Sequence, residues 1–194
     1  MANKVKYGLK SVYYAVCTIG TNNTATYETP VAWPGAVNLS LDAEGDVTKF
    51  RADNCDYWVN QSNNGYSGSL ESALVPDSFK KSILGFFEDS NGILVEDAGA
   101  KTTPFALLFQ FEGDDKATRH VLYNCTATRP SVSGQTTDTS IEPQTESVDI
   151  TASAIHVTAI NKDVVKGSVA ESSATTYTSW FTSVQQPSAA STST

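Results

Sequence analysis

The sequence lacks most of the residue patterns that catalytic centres and metal sites need. Only two histidines occur among its 194 residues, His120 and His156, and they lie far apart in the chain. No CxxC pair, glycine-rich phosphate loop or GxSxG motif is present, so the common zinc, nucleotide and serine-hydrolase sites have no local signature. We therefore expect no catalytic residue, no metal site and no cofactor, and we expect that the protein is not an enzyme.

Cysteine and positive charge are also scarce. The three cysteines, Cys17, Cys55 and Cys125, are odd in number and widely separated, which favours free thiols in a cytosol over a disulfide framework. Thirteen basic residues against 21 acidic residues give a net charge of −8, which argues against a surface that grips nucleic acid. The sequence shows no signal-peptide core and no apolar run long enough for a membrane span, so we expect no membrane insertion.

Alternating apolar residues are what the sequence has in abundance. The strongest alternation lies in residues 104–130, where a charged turn separates two runs with a period of two. We interpret this stretch as a long antiparallel hairpin around which the fold is organised. Its first strand is predicted to place four large side chains on one core face: Phe105, Leu107, Phe109 and Phe111. Its second strand is predicted to place four residues on one face: Val121, Tyr123, Cys125 and Ala127.

Strand patterns outnumber helix patterns in the rest of the chain. They predict a mainly β fold, an antiparallel β-sandwich or barrel with a flanking α-helix. One short helix is predicted within residues 75–85. A second is predicted from an apolar stripe at i, i+3, i+4 and i+7, which ends before Pro187. The stripe that would pack this C-terminal helix consists of Tyr177, Trp180, Phe181 and Val184.

The boundaries of the fold follow from the same patterns. We expect one domain over residues 1–186 and a disordered C-terminal tail over residues 187–194. The parity of apolar residues changes within the first strand, because Tyr7 and Leu9 occupy odd positions whereas Val12 and its successors occupy even ones. A bulge or bend near Gly8 would keep one face of this strand buried.

Residues 42–64 form a polar stretch without sustained periodicity. We interpret it as a long excursion, with a loose hairpin around residues 53–56, that is mobile in the free subunit. Large aromatic residues in polar loops are typical of protein interfaces. The candidates for contact between copies are Phe50, Tyr57, Trp58 and, just beyond the stretch, Tyr66. The alternative is that these side chains fold back onto their own domain.

Longer phrases of the sequence are similar to a known family. They are KVKYGLKSVYYA, PGAVNLSLDAEGD, FRADNCDYW, NNGYSGSLESALVPDSFKKSILG, DSNGILVED, FALLFQFEGDDKATRHVLYNCTATRP and QTESVDITAS. In this order they resemble the phi13-type major tail proteins of long-tailed phages that infect Gram-positive bacteria. The resemblance runs from about Lys4 to the phrase TSWFTSVQQP, and it does not include residues 131–141 or 155–174.

The resemblance implies a structural role in a virion. A tail tube subunit of this family would form hexameric rings that stack into a tube, and double-stranded DNA would pass through the lumen without specific binding. The implied partners are further copies of the chain and the tape measure, tail terminator and distal tail proteins. The implied location is the virion tail, after assembly in the host cytoplasm. The acidic composition agrees with this role, because an acidic wall would not retain a polyanion.

A second class of function remains open from the residues alone. A carbohydrate-binding or adhesion β-sandwich could use Trp33, Trp58 or Trp180 as a stacking platform. The same tryptophans would equally serve in a core or in a subunit interface. Electron microscopy separates the two classes, because rings or tubes support the tail protein and monomers that bind glycans support the binding module.

Overall fold

The computed structural model describes residues 5–114, 116–132, 134–136, 143–171 and 174–189. Antiparallel strands dominate it, and the predicted mainly β fold with a flanking helix is confirmed. The strands are β1 (Leu9–Ile19), β2 (Ala25–Tyr27), β3 (Val31–Ala32), β4 (Ala36–Glu44), β5 (Val47–Ala52), β6 (Cys55–Gln61), β7 (Gly65–Ser72), β8 (Phe87–Glu88), β9 (Leu94–Val95), β10 (Phe105–Phe111), β11 (Arg119–Ala127), β12 (Glu146–Ser153), β13 (Ile155–Val157), β14 (Lys162–Val164) and β15 (Lys166–Val169). The helices are α1 (Asp77–Ser82) and α2 (Ala174–Ser179), with a 3₁₀ turn at Thr21–Asn23.

One curved sheet of nine strands organises the described part of the chain. Its order is β2-β1-β10-β11-β12-β7-β4, with β3 beside β1 and β15 beside β11. β4, at one end of the sheet, approaches β1 near the other end, and residues from both halves share one core. The halves therefore face each other as the two layers of a sandwich. The pairs β5–β6, β8–β9 and β13–β14 form three further two-stranded sheets.

The larger core fills the space between these two layers and includes α1. Phe79 of α1 is fully buried, and its ring packs edge-on against Tyr14 at 5.1 Å and Phe105 at 5.2 Å between centroids. Asp77 lies in the first turn of the helix, where a carboxylate interacts favourably with the helix dipole. The chain leaves the helix through Gly85, whose φ of +77° suits glycine. The helix predicted within residues 75–85 is present with these narrower bounds.

The central hairpin lies between two cores. Phe105, Leu107 and Phe109 are buried in the larger core, and Phe111 is half-buried at its edge. The other face of β10 is also buried, because Ala106 and Leu108 belong to a smaller core on the outer side of the sheet. This strand is therefore covered on both faces, as expected for the centre of the molecule.

The predicted face of the second hairpin strand is wrong at its end. Val121 and Tyr123 lie in the smaller core, whereas Cys125 and Ala127 lie in the larger one. The ladder between β10 and β11 gains one residue on β11 between Leu122 and Cys125. Because of the extra residue, every side chain after such a bulge points to the opposite face from the one that simple alternation predicts. It occurs where the neighbour of β11 changes from β15 to β12.

The irregularity predicted in the first strand lies further along than expected. Gly8 has a φ of +68° just before β1 begins, but the extra residue in the ladder with β10 falls between Lys10 and Tyr13. Ser11 within this bulge has a φ of +53°. The shift allows the even-numbered side chains from Val12 onward to point into the larger core.

The smaller core is covered by the β13–β14 pair and by residues 174–189, which we call the C-terminal segment. Trp180 of this segment is buried, and its indole Nε1 donates a hydrogen bond to the His120 carbonyl oxygen at 3.3 Å. The prediction that the four residues of the stripe share one helix is wrong. The helix α2 ends at Ser179, and Trp180, Phe181 and Val184 lie after that end. These three side chains nevertheless pack on the smaller core. Of the predicted tail, residues 190–194 lie outside the described residues.

Candidate assembly surface

A two-stranded ribbon, made of β5 and β6, extends beyond the edge of the main sheet. We call residues 47–61 the aromatic ribbon. The backbone pairing of β4 with β7 continues into it, because the amide of Asn64 donates to the Glu44 oxygen and the amide of Ser62 donates to the Asp46 oxygen, both at 2.9 Å. The excursion expected from the sequence is therefore a hairpin, which prolongs β4 and β7 beyond the end of the main sheet.

Local sequence explains both the ribbon and why its pattern was missed. Asp53 and Asn54 form its tip with φ values of 51° and 61°, the left-handed conformations of a type I′ turn. The ladder shifts between Phe50 and Arg51, so that Tyr57 has no partner across the ribbon. This bulge interrupts the alternation, and the sequence consequently shows no sustained period of two.

One face of the ribbon is aromatic. Phe50 and Trp58 are paired across the strands and therefore lie on the same face, with 58% and 51% of their surface exposed. Tyr57 at the bulge is 70% exposed. These three side chains do not fold back onto their own domain, which was the alternative considered from the sequence. Large aromatic side chains that remain in water are typical of surfaces that bind another protein.

The opposite face of the ribbon carries charge. Lys49 and Arg51 flank Asp56, with N–O distances of 3.0 and 3.4 Å to its two carboxylate oxygens. All three groups are exposed, so these ion pairs contribute little to stability. Their positions separate a charged face from the aromatic face, which gives the ribbon two chemically different sides.

Tyr66 does not belong to this surface. It lies on β7, is half-buried and packs against the larger core. Its ring is 5.6 Å from the Lys166 ammonium group. Of the four contact candidates, the structure brings Phe50, Tyr57 and Trp58 together on the ribbon and assigns Tyr66 to the body of the sandwich.

The tryptophans do not form a common platform. Trp33 and Trp180 are 2% and 3% exposed, and each belongs to a different core. Only Trp58 of the three is accessible to a ligand. Trp33 and Trp180 are therefore core residues, and Trp58 alone of the three candidates is left for a stacking platform.

Arg119 is a residue whose role sequence reasoning missed. Its guanidinium carbon lies 3.7 Å from the centre of the Tyr177 ring and 4.7 Å from that of Phe181. It also donates a hydrogen bond from Nη1 to the Tyr177 carbonyl oxygen. Stacked arginine–aromatic contacts of this kind stabilise by about 0.5–2 kcal/mol. An arginine at the start of a buried strand, opposite an aromatic stripe, was the available signal.

Two titratable groups that pack among apolar side chains, His120 and Cys17, are uncharged near neutral pH. Burial, and then nearby Lys166, lower the pKa of His120 to about 4. Its ring stacks on Phe109 at 5.2 Å, and its Nδ1 has no hydrogen-bond partner among the described residues. Burial also raises the pKa of the Cys17 thiol to about 11. These groups are packed as neutral side chains rather than poised for proton transfer.

The described residues offer no cluster of three or more potential metal ligands. Neither described helix has the length and apolarity that crossing a membrane as a helix would require. The three cysteines are free, and only Cys55, beside the tip of the ribbon, is exposed. What distinguishes this surface chemically is the uncovered aromatic face of the ribbon.

The exposed aromatic face of the ribbon is typical of surfaces that bind another protein. The comparison with protein families agrees. The family model described as phage tail tube protein matches residues 2–193, and the chain belongs to that family. It is therefore a structural protein of the phage tail and a component of the virion, and the family indicates that copies assemble. A search of curated proteins found no match.

Proposed function

We propose that the protein is the major tail tube subunit of a long-tailed phage, of the phi13 type. Six copies form a ring, rings stack head to tail, and the lumen conducts double-stranded DNA. The observation that carries this proposal is the match to the tail tube family over nearly the whole chain. The phrase-level resemblance of the sequence supports the narrower assignment to the phi13 type.

The aromatic ribbon supports stacking between rings. A six-residue strand such as β5 spans about 20 Å, enough to reach a neighbouring subunit. An isolated two-stranded hairpin is at best marginally stable in water. If a neighbouring copy covered Phe50 and Trp58, the contact would be stabilised by about 25 cal/mol for each Å² of apolar surface buried. We therefore assign the contact between stacked rings to the ribbon.

Two kinds of contact between copies are needed for this assembly. A heterologous contact around the ring closes after six copies, whereas the contact along the axis repeats without closing. An open contact requires an initiator and a terminator. The distal tail protein, the tape measure protein and the tail terminator are the corresponding partners, and assembly takes place in the host cytoplasm.

Negative-stain electron microscopy and mass measurement at rising concentration test the proposal. We expect rings or tubes of uniform diameter, with masses that are multiples of six subunits in the rings. The same preparation should be incubated with distal tail protein, which we expect to raise the yield of tubes. A chain that stays monomeric in both conditions would overturn the proposal. Monomers that bind glycans would support the binding-module alternative.

A further inference from the structure

A group of basic and aromatic side chains lies at the rim of the larger core. Phe111 on β10 and Tyr66 on β7 are both half-buried against that core, and their strands belong to opposite halves of the sheet. Two lysines, Lys6 and Lys166, and one histidine, His120, lie beside these rings. We call these five side chains the basic mouth.

The register between β11 and β15 brings His120 and Lys166 to the same side of the sheet. Leu122, which is buried in the larger core, is paired with Lys166, and His120 lies two residues before Leu122 on the same face. The Lys166 ammonium group is 5.6 Å from the centre of the Tyr66 ring. The side of β15 that faces the larger core therefore presents a cation toward an aromatic ring of β7.

Lys6 reaches the same rim from the residues that precede β1. The amide of Gly113 donates to the Tyr7 carbonyl oxygen at 3.0 Å, which holds this part of the chain beside the end of β10. The Lys6 ammonium group lies 4.8 Å from the centre of the Phe111 ring, and that ring is 5.8 Å from the His120 ring. Three basic side chains thus converge on two aromatic rings.

The two lysines of the mouth have no carboxylate partner. Within the described part of the chain neither Lys6 nor Lys166 forms an ion pair, although the sequence has 21 acidic residues against 13 basic ones. The carboxylate of Asp114, in the turn after β10, accepts hydrogen bonds from the backbone amides of Lys116 and Thr118 at 2.9 and 3.1 Å. The positive charge of the mouth is therefore left for a group from outside the subunit.

The basic groups of the mouth repel one another in the free subunit. Partial burial, and then the charge of Lys6, lower the pKa of the Lys166 amine. Burial, and then Lys166, lower the pKa of His120 to about 4, and Lys6 acts in the same direction. The buried Nδ1 of His120 finds no hydrogen-bond partner among the described residues. A negatively charged group beside the two ammonium groups would offset this repulsion, because opposite charges stabilise each other.

We propose that the basic mouth binds a carboxylate side chain of a second copy of this chain and so forms the contact around the ring. This inference rests on the proposed function and deepens it, because the aromatic ribbon accounts only for the contact between rings. Charge complementarity favours this occupant, since each copy has a net charge of −8 and is rich in carboxylates. The aromatic rings would also cover the methylene groups of an aspartate or glutamate, which an inorganic anion lacks.

Nucleic acid fits the mouth less well than a carboxylate does. Binding a duplex requires basic residues that neutralise many phosphates in a row. The mouth holds two lysines, and the net charge of the whole chain repels a polyanion. A single carboxylate between two ammonium groups needs no further positive charge.

Carbodiimide cross-linking tests the contact directly. The reagent activates a carboxyl group, and a lysine amine in contact with it then forms an amide. Tubes are assembled from equal parts of unlabelled and ¹⁵N-labelled subunits, treated and digested. We expect cross-linked peptides that contain Lys6 or Lys166 and that join a labelled chain to an unlabelled one. Free subunits treated in the same way should not give these mixed peptides.

Charge reversal measures how much the contact contributes. Lys6→Glu, Lys166→Glu should raise the concentration needed for ring formation by about tenfold or more, because a like charge would replace each attraction. Lys101→Glu, Lys162→Glu changes the net charge equally at two exposed positions outside the mouth and should assemble like the parent. Mass measurement gives the concentration, and thermal unfolding checks that each subunit is folded. Lys6→Gln, Lys166→Gln, which only removes the charge, should shift assembly in the same direction and serves if the Glu variant does not fold.

The outcomes separate this contact from the proposed function. We expect the mouth variant to remain as monomers, whereas loss of the ribbon contact would leave free rings. A lysine at the carboxylate that the cross-link identifies should restore assembly of the Lys6→Glu, Lys166→Glu chain. Normal tubes from both mouth variants, or cross-links of these lysines only within one subunit, would overturn the contact and leave the proposed function standing. DNA binding by free subunits that the mouth variant loses would also overturn it, and a parent without rings or tubes would overturn both.

Discussion

Phe109 is the single residue on which we expect stability to depend most clearly. It is 3% exposed, and its ring lies against Phe111 at 5.7 Å and His120 at 5.2 Å. Phe109→Ala should lower the free energy of unfolding by about 3–5 kcal/mol, because a cavity remains in the larger core. Urea unfolding followed by tryptophan fluorescence measures the loss. The matched control is Phe87→Ala, which removes a ring that is 52% exposed and should cost far less. Similar losses in both variants would show that Phe109 is not a core residue.

His120 should make stability depend on pH. Its pKa is lowered from 6.5 to about 4 by burial, then by Lys166 and Lys6, while Asp114 opposes the shift. The unfolded chain therefore binds more protons between these two values, so the contribution of neutral His120 is complete above pH 6.5 and is lost as pH falls toward 4. His120→Phe keeps a ring on Phe109 but does not titrate. We expect its free energy of unfolding to fall less than that of the parent between about pH 7.5 and 5. Parallel curves for the two proteins would contradict the lowered pKa.

Among the elements, the C-terminal segment packs on the body of the protein although only a short part of it is helical. Its helix is short, yet Trp180 is buried and the segment is tied to the body by three further contacts. Arg119 stacks on its rings, Tyr123 Oη donates to the Gln185 oxygen at 3.0 Å, and Gln186 Nε2 donates to the Ala25 oxygen at 2.8 Å. The segment therefore serves as the outer layer of the smaller core.

Truncations test this role and the proposed domain boundary. A chain that ends after Gln186 keeps the docked contacts and should fold and assemble like the parent. A chain that ends before Tyr177 exposes the smaller core and should aggregate or lose tube formation. Light scattering, circular dichroism and electron microscopy compare the two. If both truncations behave alike, the segment is not a required layer, and residues 1–186 are not the proposed functional unit.

On the scale of the whole molecule, the aromatic ribbon should decide assembly without deciding folding. Tyr57→Ala, Trp58→Ala removes two exposed rings that touch neither core, so the subunit should keep the melting temperature of the parent within a few degrees. Ring stacking should be lost, because central aromatic side chains carry much of the energy of an interface. Electron microscopy of tubes and thermal unfolding of subunits measure the two effects.

Leu74→Ala, Ile93→Ala provides the control for that experiment. Both side chains are exposed, at 68% and 58%, and neither lies on the ribbon. We expect this variant to form tubes like the parent. Amide exchange adds a second measurement, since the ribbon should exchange faster in the subunit than in the tube. A folded ribbon variant that polymerises normally would place the contact between rings elsewhere.

Periodicity and the order of the phrases in the sequence determine much about this protein. The alternation in residues 104–130 predicted the central strands, and the residues around Phe79 predicted the first helix. Both depend on local geometry, since side chains two apart share a strand face and those three or four apart share a helix face. The ordered phrases indicated a tail protein, and membership of the tail tube family is now shown.

Tertiary structure alone decided where the alternation of faces breaks and which faces another layer covers. The bulge in β1 shows in the sequence as a change in the parity of the apolar residues, but those in β6 and β11 do not, so the faces of Cys125 and Tyr57 were not readable from spacing. Tyr66 and Trp58 are both large aromatic residues with polar neighbours in the sequence. Tyr66 nevertheless packs on the larger core, whereas Trp58 stays exposed to water. Periodicity reports which side chains share a face, but whether another layer covers that face depends on contacts between residues distant in the chain.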